Sequence, residues 1–376
     1  MKKILRTLWI IVCITLISIY ILSSLSSFIS PAKFSYISLF AVAFPYVLAA
    51  FIVVFIISFF TVRRLSYVLL AILPLGYFNF TNTLALRKEV AWHPEKDSSA
   101  IRIMTWNVQG FSNFLHKKKS RSAFKNNMEE MLATIHDYDP DVICFQEYRN
   151  IENAKRRIPV RKQLDSLGYT YHFCSNDRVG TYTRNAAMRV EEGVAIYSKI
   201  PFIDSARINI NPSQNEHLVY TDVMFNNKPV RIFTAHLQSF AIYGDTSNQK
   251  GDSDNIYEIT YKRRKAIEYK IRETEVKHQD EVSIIRNAID QSPHPVIYCG
   301  DLNTTPTSFN YRYLKGNNLQ DAFLEKGSGI GNTFYKICPT LRIDVCFADK
   351  KFKVQQCIRV KKKISDHYPV ITDLGL

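Results

Sequence analysis

The segment HPVIYCGDLN, residues 294–303, combines a short apolar run with two polar side chains directly after it. A short apolar run of this kind, bounded by polar and turn-forming residues, predicts a buried β-strand. Asp301 and Asn303 stand at the end of that strand. In such a pair one side chain can address a water molecule while the other donates a hydrogen bond. The segment is the type of unit from which we expect the fold to be built.

Further strand patterns alternate with amphipathic helices from Ile101 onward. The predicted strands are IRIMTWN (101–107), DVICFQE (141–147), GVAIYSK (193–199), HLVYTDVMF (217–225), KPVRIFTAHL (228–237), LRIDVCFAD (341–349) and HYPVITDL (367–374). Helices are predicted near 120–138, 152–167 and 258–290, and Asn226-Asn227 is typical of a hairpin turn. Many strands with helices outside them favour two sheets packed face to face and flanked by helices. We therefore expect one α/β domain over residues 101–376.

The first ninety residues have a different character. No charged residue occurs in Thr7–Ala32, Phe34–Val62 or Leu65–Leu86. About 20 apolar residues suffice to cross the hydrocarbon core, so each stretch predicts a transmembrane helix. A cleavable signal peptide normally has a shorter apolar core, and a soluble bundle would need a solvated face. We predict a three-helix anchor over 1–90, a linker over 91–100, and an integral membrane protein.

The distribution of basic residues predicts the orientation of this anchor. Basic residues within 2–6 precede the first span, and Arg63-Arg64 separates the second span from the third. Only Lys33 lies between the first two spans. The positive-inside rule then places the N-terminus in the cytoplasm. If the third span crosses, the domain after residue 90 is on the extracytoplasmic side.

The net charge of +15 is divided unevenly along the chain. Eight basic residues and one acidic residue precede position 91, which leaves 41 basic and 33 acidic residues in the remainder. A net charge of +8 over the second part is too modest to imply nucleic-acid binding by itself.

Cysteine spacing predicts neither a metal site nor a redox motif, because the sequence has no CxxC. Cys144, Cys299 and Cys346 fall within predicted strands. We expect them to be small buried hydrophobic residues.

Six segments end an apolar strand in a carboxylate, an amide or an imidazole. They are TWN with Asn107, FQE with Glu147, TAHL with His236, GDLN with Asp301 and Asn303, RIDV with Asp344, and SDH with Asp366 and His367. Strand ends can meet at one rim of a sheet, so these residues could form one site. Hydrolysis of a phosphate ester requires a hard cation, an activated water and a proton for the leaving oxygen. One segment alone could be a turn or a structural histidine, but six together indicate this chemistry.

The ordered set resembles the endonuclease/exonuclease/phosphatase superfamily from about Ile101 to Leu376. That group includes deoxyribonuclease, apurinic endonucleases, neutral sphingomyelinases and inositol polyphosphate 5-phosphatases. The resemblance implies a four-layer α/β sandwich of two mostly antiparallel sheets, with the site at one end of the sheets. It also implies hydrolysis that depends on Mg²⁺, with Mn²⁺ as the alternative ion.

The resemblance assigns metal binding to three residues. Glu147 would be the principal metal ligand, with Asn107 beside it and also available to the substrate. Asp366 would hold the ion directly or through water. Magnesium prefers one or two carboxylates together with water, which agrees with this set.

The remaining residues would act on the substrate. Asp301 would orient or deprotonate the attacking water, and Asn303 would hold a phosphate oxygen. His367 would bind the phosphate, with Asp344 orienting its imidazole. His236 would contact the phosphate or assist the leaving group.

Two positions bear on the branch of the superfamily. Apurinic endonucleases usually carry an acid where this chain has Gln109, and an Asn where it has His236. His236 is more similar to the deoxyribonuclease, sphingomyelinase and 5-phosphatase branches. Both departures weaken a role in DNA repair without choosing among the other branches.

These observations predict a membrane-anchored hydrolase that cleaves a phosphodiester or phosphomonoester by in-line attack of water, in the manner of a nuclease. The alternative is a lipid-directed sphingomyelinase-like or phospholipase C-like enzyme, or an inositol phosphate phosphatase. A non-catalytic binding module is least favoured, because no matched position has lost its catalytic residue. The substrate is thus a nucleic acid or a lipid or inositol phosphate, and no protein partner can be inferred.

Overall fold

The computed structural model of the protein describes residues 2–87, 92–112, 121–152, 159–181, 189–240 and 256–376. The chain forms two compact units. The anchor unit comprises Met1–Leu84, Gln238–Val282 and Thr304–Leu314. The sandwich unit comprises Ala85–Leu237, Ser283–Asn303 and Lys315–Leu376. The domain boundaries expected at residues 90 and 100 remain predictions.

The helices are α1 (Lys2–Leu25), α2 (Ile37–Thr61), α3 (Arg63–Ile72), α4 (Tyr77–Thr83), α5 (Gln109–Ser112), α6 (Arg121–Tyr138), α7 (Val160–Ser166), α8 (Ile256–Asp290), α9 (Phe309–Lys315) and α10 (Ala322–Lys326). The strands are β1 (Ala85–Leu86), β2 (Ala100–Asn107), β3 (Val142–Ile151), β4 (Tyr171–Cys174), β5 (Arg178–Thr181), β6 (Arg189–Ser198), β7 (Phe202–Asn211), β8 (Glu216–Phe225), β9 (Lys228–His236), β10 (Val296–Asp301), β11 (Leu319–Asp321), β12 (Ser328–Gly329), β13 (Asp344–Asp349), β14 (Lys353–Arg359) and β15 (Val370–Gly375).

Three helical segments of the anchor unit are long and apolar enough to span a membrane. They are Thr7–Leu25, Ile37–Thr61 and Arg63–Thr83. The third is interrupted by a 3-10 turn at Leu73–Gly76, which contains Pro74. Proline removes a helical hydrogen bond, and such breaks are tolerated where neighbouring groups satisfy the freed backbone.

A buried amide joins α4 to the end of α1. Asn79 is fully buried, and its Nδ2 donates to the carbonyl oxygens of Ser23 at 2.7 Å and Ser24 at 3.2 Å. Ser27 Oγ donates in turn to Asn79 Oδ1. The last carbonyls of a helix lack partners within that helix. Asn79 therefore supplies hydrogen-bond donors to carbonyl groups at the end of α1.

The segment Thr304–Leu314 belongs to the same unit and is held by the first two helices. The carbonyl oxygen of Thr307 accepts hydrogen bonds from Ser26 Oγ at 2.7 Å and Ser27 Oγ at 2.9 Å. The hydroxyl of Thr307 donates to the carbonyl of Ala41 in α2 at 2.6 Å. All of these bonds are buried, so the anchor unit is a packed structure that includes residues far along the chain.

Glu275 connects α8 to this segment through a buried carboxylate. It accepts hydrogen bonds from Thr304 Oγ1 and from Asn310 Nδ2, the latter at 2.7 Å. Burial disfavours the charged form and raises the pKa of Glu275 from 4.5 to about 7, although both hydrogen bonds oppose the shift.

We expect Glu275→Gln to remove a pH-dependent part of the stability. The folded-state pKa is raised, so this group's contribution is complete below about pH 4.5 and is lost as the pH rises through about 7. The loss is roughly 3 kcal/mol, since each tenfold change in proton affinity corresponds to about 1.4 kcal/mol. Thermal unfolding of the detergent-solubilised protein between pH 5 and 8.5 measures it. Glu273→Gln, an exposed change on the same helix, is the control, and equal pH profiles for both variants would contradict the assignment.

The sandwich unit contains two large sheets. One has the strand order β11-β13-β10-β9-β8-β7 and the other β14-β15-β2-β3-β6-β4, with β5 also paired to β6. Neighbouring strands are antiparallel except β9–β10 and β2–β3, which are parallel. The expected sandwich of two mostly antiparallel sheets with flanking helices is confirmed.

The two faces of the central strands are buried in different cores. Ile103 and Cys144 belong to a cluster that also contains Ile232 and Cys299 from the other sheet. The alternate residues Met104 and Trp106 pack with Met131 and Ile135 of α6. Strands with both faces covered need apolar residues at almost every position, which explains the continuous apolar runs in the sequence.

The cysteines behave as expected. All seven are free, and Cys144, Cys299, Cys346 and Cys357 are buried in the cluster that contains residues of both large sheets.

Local predictions succeeded where a turn or a strong pattern decided the structure. Asn226 and Asn227 have φ of 48° and 59° and join β8 to β9, so the hairpin is confirmed. Of the helix predicted over 152–167, the structure contains α7, Val160–Ser166. Residues 153–158 lie outside the described part of the chain. The strands that were not predicted are β1, β4, β5, β7, β11, β12 and β14.

Candidate active site

Strand register brings three of the predicted site residues side by side. Asp301, the last residue of β10, lies opposite His236 in the parallel pair with β9. It also lies opposite Asp344 in the antiparallel pair with β13. The three residues are therefore neighbours across one end of the first sheet, although at least 40 residues separate any two of them in sequence.

The second sheet contributes Asn107 and Glu147. Asn107 is the last residue of β2, and its partner in β3 is Gln146. The pairing of β3 with β6 is irregular between Phe145 and Tyr148, and Glu147 within this bulge has φ of 48°. A non-glycine residue with positive φ is strained, and bulges often redirect a side chain next to an active site.

An amide bridges carboxylates that belong to different sheets. Asn107 Nδ2 donates to Glu147 Oε1 at 3.1 Å and to Asp301 Oδ2 at 3.0 Å. Asn107 and Asp301 are buried, but 42% of the Glu147 side chain is exposed. Glu147 is therefore the carboxylate of this group that a ligand can reach.

Asp301 lies at the centre of the arrangement. Its Oδ1 accepts a hydrogen bond from the backbone N–H of Asn303 at 2.9 Å. Its Oδ2 is 3.7 Å from His236 Nε2 and 3.7 Å from His367 Nδ1. Asn303 has φ of 47°, a second strained position within three residues of the strand end.

His236 shares its Nε2 with the amide of Asn303. Asn303 Nδ2 donates to the carbonyl of Leu237 at 2.8 Å and lies 3.0 Å from His236 Nε2. Burial alone would lower the pKa of His236, but the carboxylates of Asp301 and Glu147 raise it above its ordinary value. Because the amide donates to this ring nitrogen, protonation of Nε2 requires Asn303 to turn away.

His367 forms a buried pair with Asp344. His367 Nδ1 is 2.8 Å from Asp344 Oδ2. Burial would lower the pKa of His367, but Asp344 and Asp301 outweigh it and raise the pKa to about 10. Thr333 Oγ1 accepts hydrogen bonds from the backbone N–H groups of Ile343 and Asp344 at 3.0 Å and so fixes the start of β13. His367 is thus a cation near neutral pH.

Asp366 completes the group. Gln109 Nε2 donates to Asp366 Oδ2 at 3.0 Å, so the position that departs from the apurinic endonucleases contacts this carboxylate. Burial raises the pKa of Asp366, and the charge of Glu147 raises it further. The structure therefore brings together all eight predicted site residues, while the role assigned to each remains a prediction.

The sequence profile of the Endonuclease/Exonuclease/phosphatase family matches residues 104–367 of this chain. The chain belongs to the endonuclease/exonuclease/phosphatase family. This family acts on phosphoester bonds, and the match covers every residue of the site described above. A second profile, that of a domain of unknown function (DUF8431), matches residues 2–83.

Individual relatives are distant. A DNA-(apurinic or apyrimidinic site) endonuclease from Dictyostelium discoideum is 23% identical over 245 residues, which are 65% of this chain and 53% of that protein. The chain thus spans about half the length of this curated relative. The human Nocturnin catalytic domain with bound sulfate has a TM-score of 0.50 at 18% identity and covers 74% of this chain and 93% of its own. An endonuclease/exonuclease/phosphatase from Beutenbergia cavernae has a TM-score of 0.50 at 19% identity, and the match covers 74% of this chain and 72% of that protein. These structures share the fold.

One group of side chains in this family member has the geometry to hold a metal ion. The ligand atoms of Asp301, Asp344 and His367 lie within 4.8 Å of one another, and all three residues are buried. His367 Nδ1 is already bonded to Asp344, so an ion at this place would have to break that pair. The carboxylates of Glu147 and Asp301, which share the donor Asn107 Nδ2, form an adjacent group, so Asp301 belongs to both groups.

Three supporting residues were missed by the sequence analysis. Gln146, the partner of Asn107, donates from Nε2 to Thr105 Oγ1 at 3.1 Å and to Thr234 Oγ1 at 3.0 Å. It thereby links the two sheets beneath the site, and a glutamine in an otherwise apolar strand was the available signal. Ser365 and Thr333 support Asn107 and Asp344 through backbone contacts, and nothing in their sequence context indicated this.

We expect Asp344→Asn to lower the pKa of His367 from about 10 toward its ordinary value of 6.5, because the largest charge that opposes burial is removed while that of Asp301 remains. The imidazole would lose its proton at a much lower pH. Histidine-selective NMR titration of the detergent-solubilised protein in chelator measures this directly. Asp204→Asn, an exposed change, should leave the titration unaltered, and an unchanged His367 in Asp344→Asn would refute the assigned cause.

Proposed function

We propose that this protein is a membrane-anchored, metal-dependent phosphoesterase that hydrolyses a phosphodiester or phosphomonoester by in-line attack of water. The proposal is based on the side chains that surround the carboxylate of Asp301. Its buried carboxylate contacts Asn107 and lies 3.7 Å from both His236 and His367. A carboxylate, two amides and two imidazoles around one point can together orient water, hold a phosphate and stabilise negative charge.

A divalent cation fits the donor set around Glu147. Glu147 and Asp366 present carboxylate oxygens, which Mg²⁺ prefers and Mn²⁺ also accepts. Asn107 would have to turn its amide to offer its oxygen, because its Nδ2 donates to Glu147 and its Oδ1 accepts from Gln109. His367 remains paired with Asp344, which favours the oxygen group over the alternative that includes this histidine. When bound, the ion would supply positive charge that neutralises the phosphate and polarises its oxygens.

The attacking water would be oriented by Asp301. One oxygen of Asp301 is occupied by the backbone of Asn303 and the other by Asn107, so the carboxylate is fixed in direction. Asn303 would turn its amide from His236 to a phosphate oxygen. This movement would release His236 Nε2 to contact the phosphate or to give a proton to the leaving oxygen.

His367 would bind the phosphate as a cation. Its raised pKa keeps it protonated near neutral pH, and Asp344 fixes the orientation of the ring through Nδ1. The remaining ring nitrogen can then donate to a phosphate oxygen while charge develops during in-line attack.

Substrate identity remains the finer part of the proposal. A nucleic acid is favoured first, in agreement with the name of the curated relative, although the chain spans only about half of that protein. The alternative is a lipid or an inositol phosphate, favoured by the apolar spans. A non-catalytic binding module stays the least favoured reading, because all eight site residues are present.

We expect the full-length protein in detergent to hydrolyse bis(p-nitrophenyl) phosphate with Mg²⁺ or Mn²⁺ and to stop in chelator. Glu147→Ala and Asp301→Ala should each lower kcat/KM by roughly a hundredfold or more, since a cation ligand or a general base contributes at least that much. Colorimetric release of p-nitrophenol gives the rates.

Glu130→Ala, an exposed carboxylate on α6, is the matched control and should keep the wild-type rate. Hydrolysis that survives chelator, or that persists in both site variants, would exclude the proposed mechanism. Comparison of DNA, RNA, phospholipid and inositol phosphate substrates then separates the two substrate classes.

We further propose that the catalytic domain lies on the extracytoplasmic side. The basic residues near the N-terminus favour a cytoplasmic start of the first span. Thr307 accepts hydrogen bonds from Ser26 and Ser27, directly beyond the other end of that span. The segment Thr304–Leu314 is therefore on the side opposite to the N-terminus.

Reporter fusions test this orientation. Alkaline phosphatase, which needs disulfides to fold, should be active when fused after Leu376 and inactive when fused after Arg64. A fluorescent protein that matures in the cytoplasm should show the reverse. The opposite pattern at Leu376 would place the catalytic domain in the cytoplasm.

A further inference from the structure

The loop between the first two spans contacts parts of the anchor unit that come from much later in the chain. Ser30 Oγ donates to Gln279 Oε1 of α8, and the backbone N–H of Ala32 donates to the same oxygen at 3.3 Å. The loop is bounded by apolar helices of 19 and 25 residues, so it lies at a membrane surface. Elements that contact it lie at that surface too.

Arg312 of α9 stacks on aromatic rings at the ends of two spans. Its guanidinium carbon is 4.4 Å from the ring centre of Phe28 and 5.7 Å from that of Phe78. Phe28 follows the first span by three residues, and Phe78 lies five residues before the end of the third. The two rings contact each other with centres 5.1 Å apart. The charge of Arg312 is therefore held where the apolar helices end.

Arg272 of α8 has a similar place at the start of the second span. Its guanidinium carbon is 3.5 Å from the ring centre of Tyr36, the residue directly before α2. Its Nε and Nη2 donate to Ser35 Oγ at 3.1 Å. Glu268, 3.5 Å away, partly neutralises it.

Arg312 has no such partner. No ion pair with a carboxylate is formed by Arg312 within the described part of the chain, and the residue is exposed to solvent. Its neighbour Tyr313 is 42% exposed, and Phe28 is 45% exposed. An arginine without a carboxylate partner, beside exposed aromatic rings at the end of apolar helices, is complementary to a molecule that has both an anionic group and an apolar part.

We propose that Arg312 binds the headgroup phosphate of an anionic phospholipid in the leaflet next to residues 26–36, and that Arg272 adds positive charge at the same membrane surface. A guanidinium stacked on a ring still presents its edge N–H groups, which match two phosphate oxygens. Aromatic rings at this depth contact the apolar part of the lipid, as in the aromatic belts of membrane proteins. The ligand is a lipid because its acyl chains would cover the exposed part of Phe28 and Tyr313, which free phosphate would leave in water.

This site is distinct from the proposed hydrolysis. None of its residues belongs to the candidate active site, and no bond is broken there. A bound anionic lipid would hold the anchor unit at a defined depth, and it would make the stability of the protein depend on lipid charge.

The test measures thermal unfolding of the full-length protein in dodecyl maltoside with chelator present. Dioctanoyl phosphatidylglycerol should raise the Tm of the wild-type protein, and dioctanoyl phosphatidylcholine should have little effect. Arg312→Gln should lose most of the shift, Arg312→Lys should keep part of it through its charge, and Arg272→Gln should lose less than Arg312→Gln. Lys351→Gln, an exposed change in the sandwich unit, should respond as the wild type does.

Three results would overturn the proposal. They are an equal response to both lipids, an undiminished response in Arg312→Gln, and an equal shift with glycerol 3-phosphate, which would indicate a site for soluble phosphate. If Arg312→Gln is unfolded before heating, the lipid-induced Tm shifts of Arg312→Lys and Arg272→Gln are used instead. Shifts as large as that of the wild-type protein in both variants would also refute the site. Because hydrolysis is suppressed by chelator, the outcome is independent of the proposed enzymatic activity.

Discussion

The candidate site depends on one shared hydrogen-bond donor. The amide of Asn107, at the end of a strand in one sheet, donates both to Glu147 of the same sheet and to Asp301 of the other. Two buried or half-buried carboxylates repel each other unless a donor or a cation lies between them. The amide allows them to remain close and fixes the separation of the two strand ends. Asp301 then positions His236 and Asn303 on one side and His367 with Asp344 on the other.

A second constraint comes from the membrane segments. Apolar surroundings require that every polar backbone group be paired within the protein. In the anchor unit Asn79 and the serines near the end of α1 meet this requirement together with Thr307. The first ninety residues are thus more than a tether, because their helix ends are completed by residues from beyond position 300. Arg272 and Arg312 stack on aromatic rings next to the ends of these helices in the same unit.

The fold class and the identity of the site residues were accessible from the sequence because they depend on local patterns. Apolar strand patterns alternating with amphipathic helices predicted the sandwich, and Asn226-Asn227 predicted its hairpin from backbone preference alone. Strands such as β7, with charged and polar residues on an exposed face, have no comparable pattern and were missed. Gln146 in β3 and Thr333 in a loop were also missed, since the supporting role of such a polar side chain depends on its partner on another element.

The sequence by itself determined which residues are available for phosphoester chemistry and which segments can cross a membrane, because both follow from side-chain type and short-range spacing. Only the tertiary structure decided how these residues meet. Register placed Asp301 between His236 and Asp344, and the bulge at Glu147 turned its carboxylate toward the other sheet. The negative charges of Asp344 and Asp301 made His367 a cation despite its burial. The physical reason is that register, backbone strain and desolvation arise from contacts between segments far apart in the chain, which local patterns do not encode.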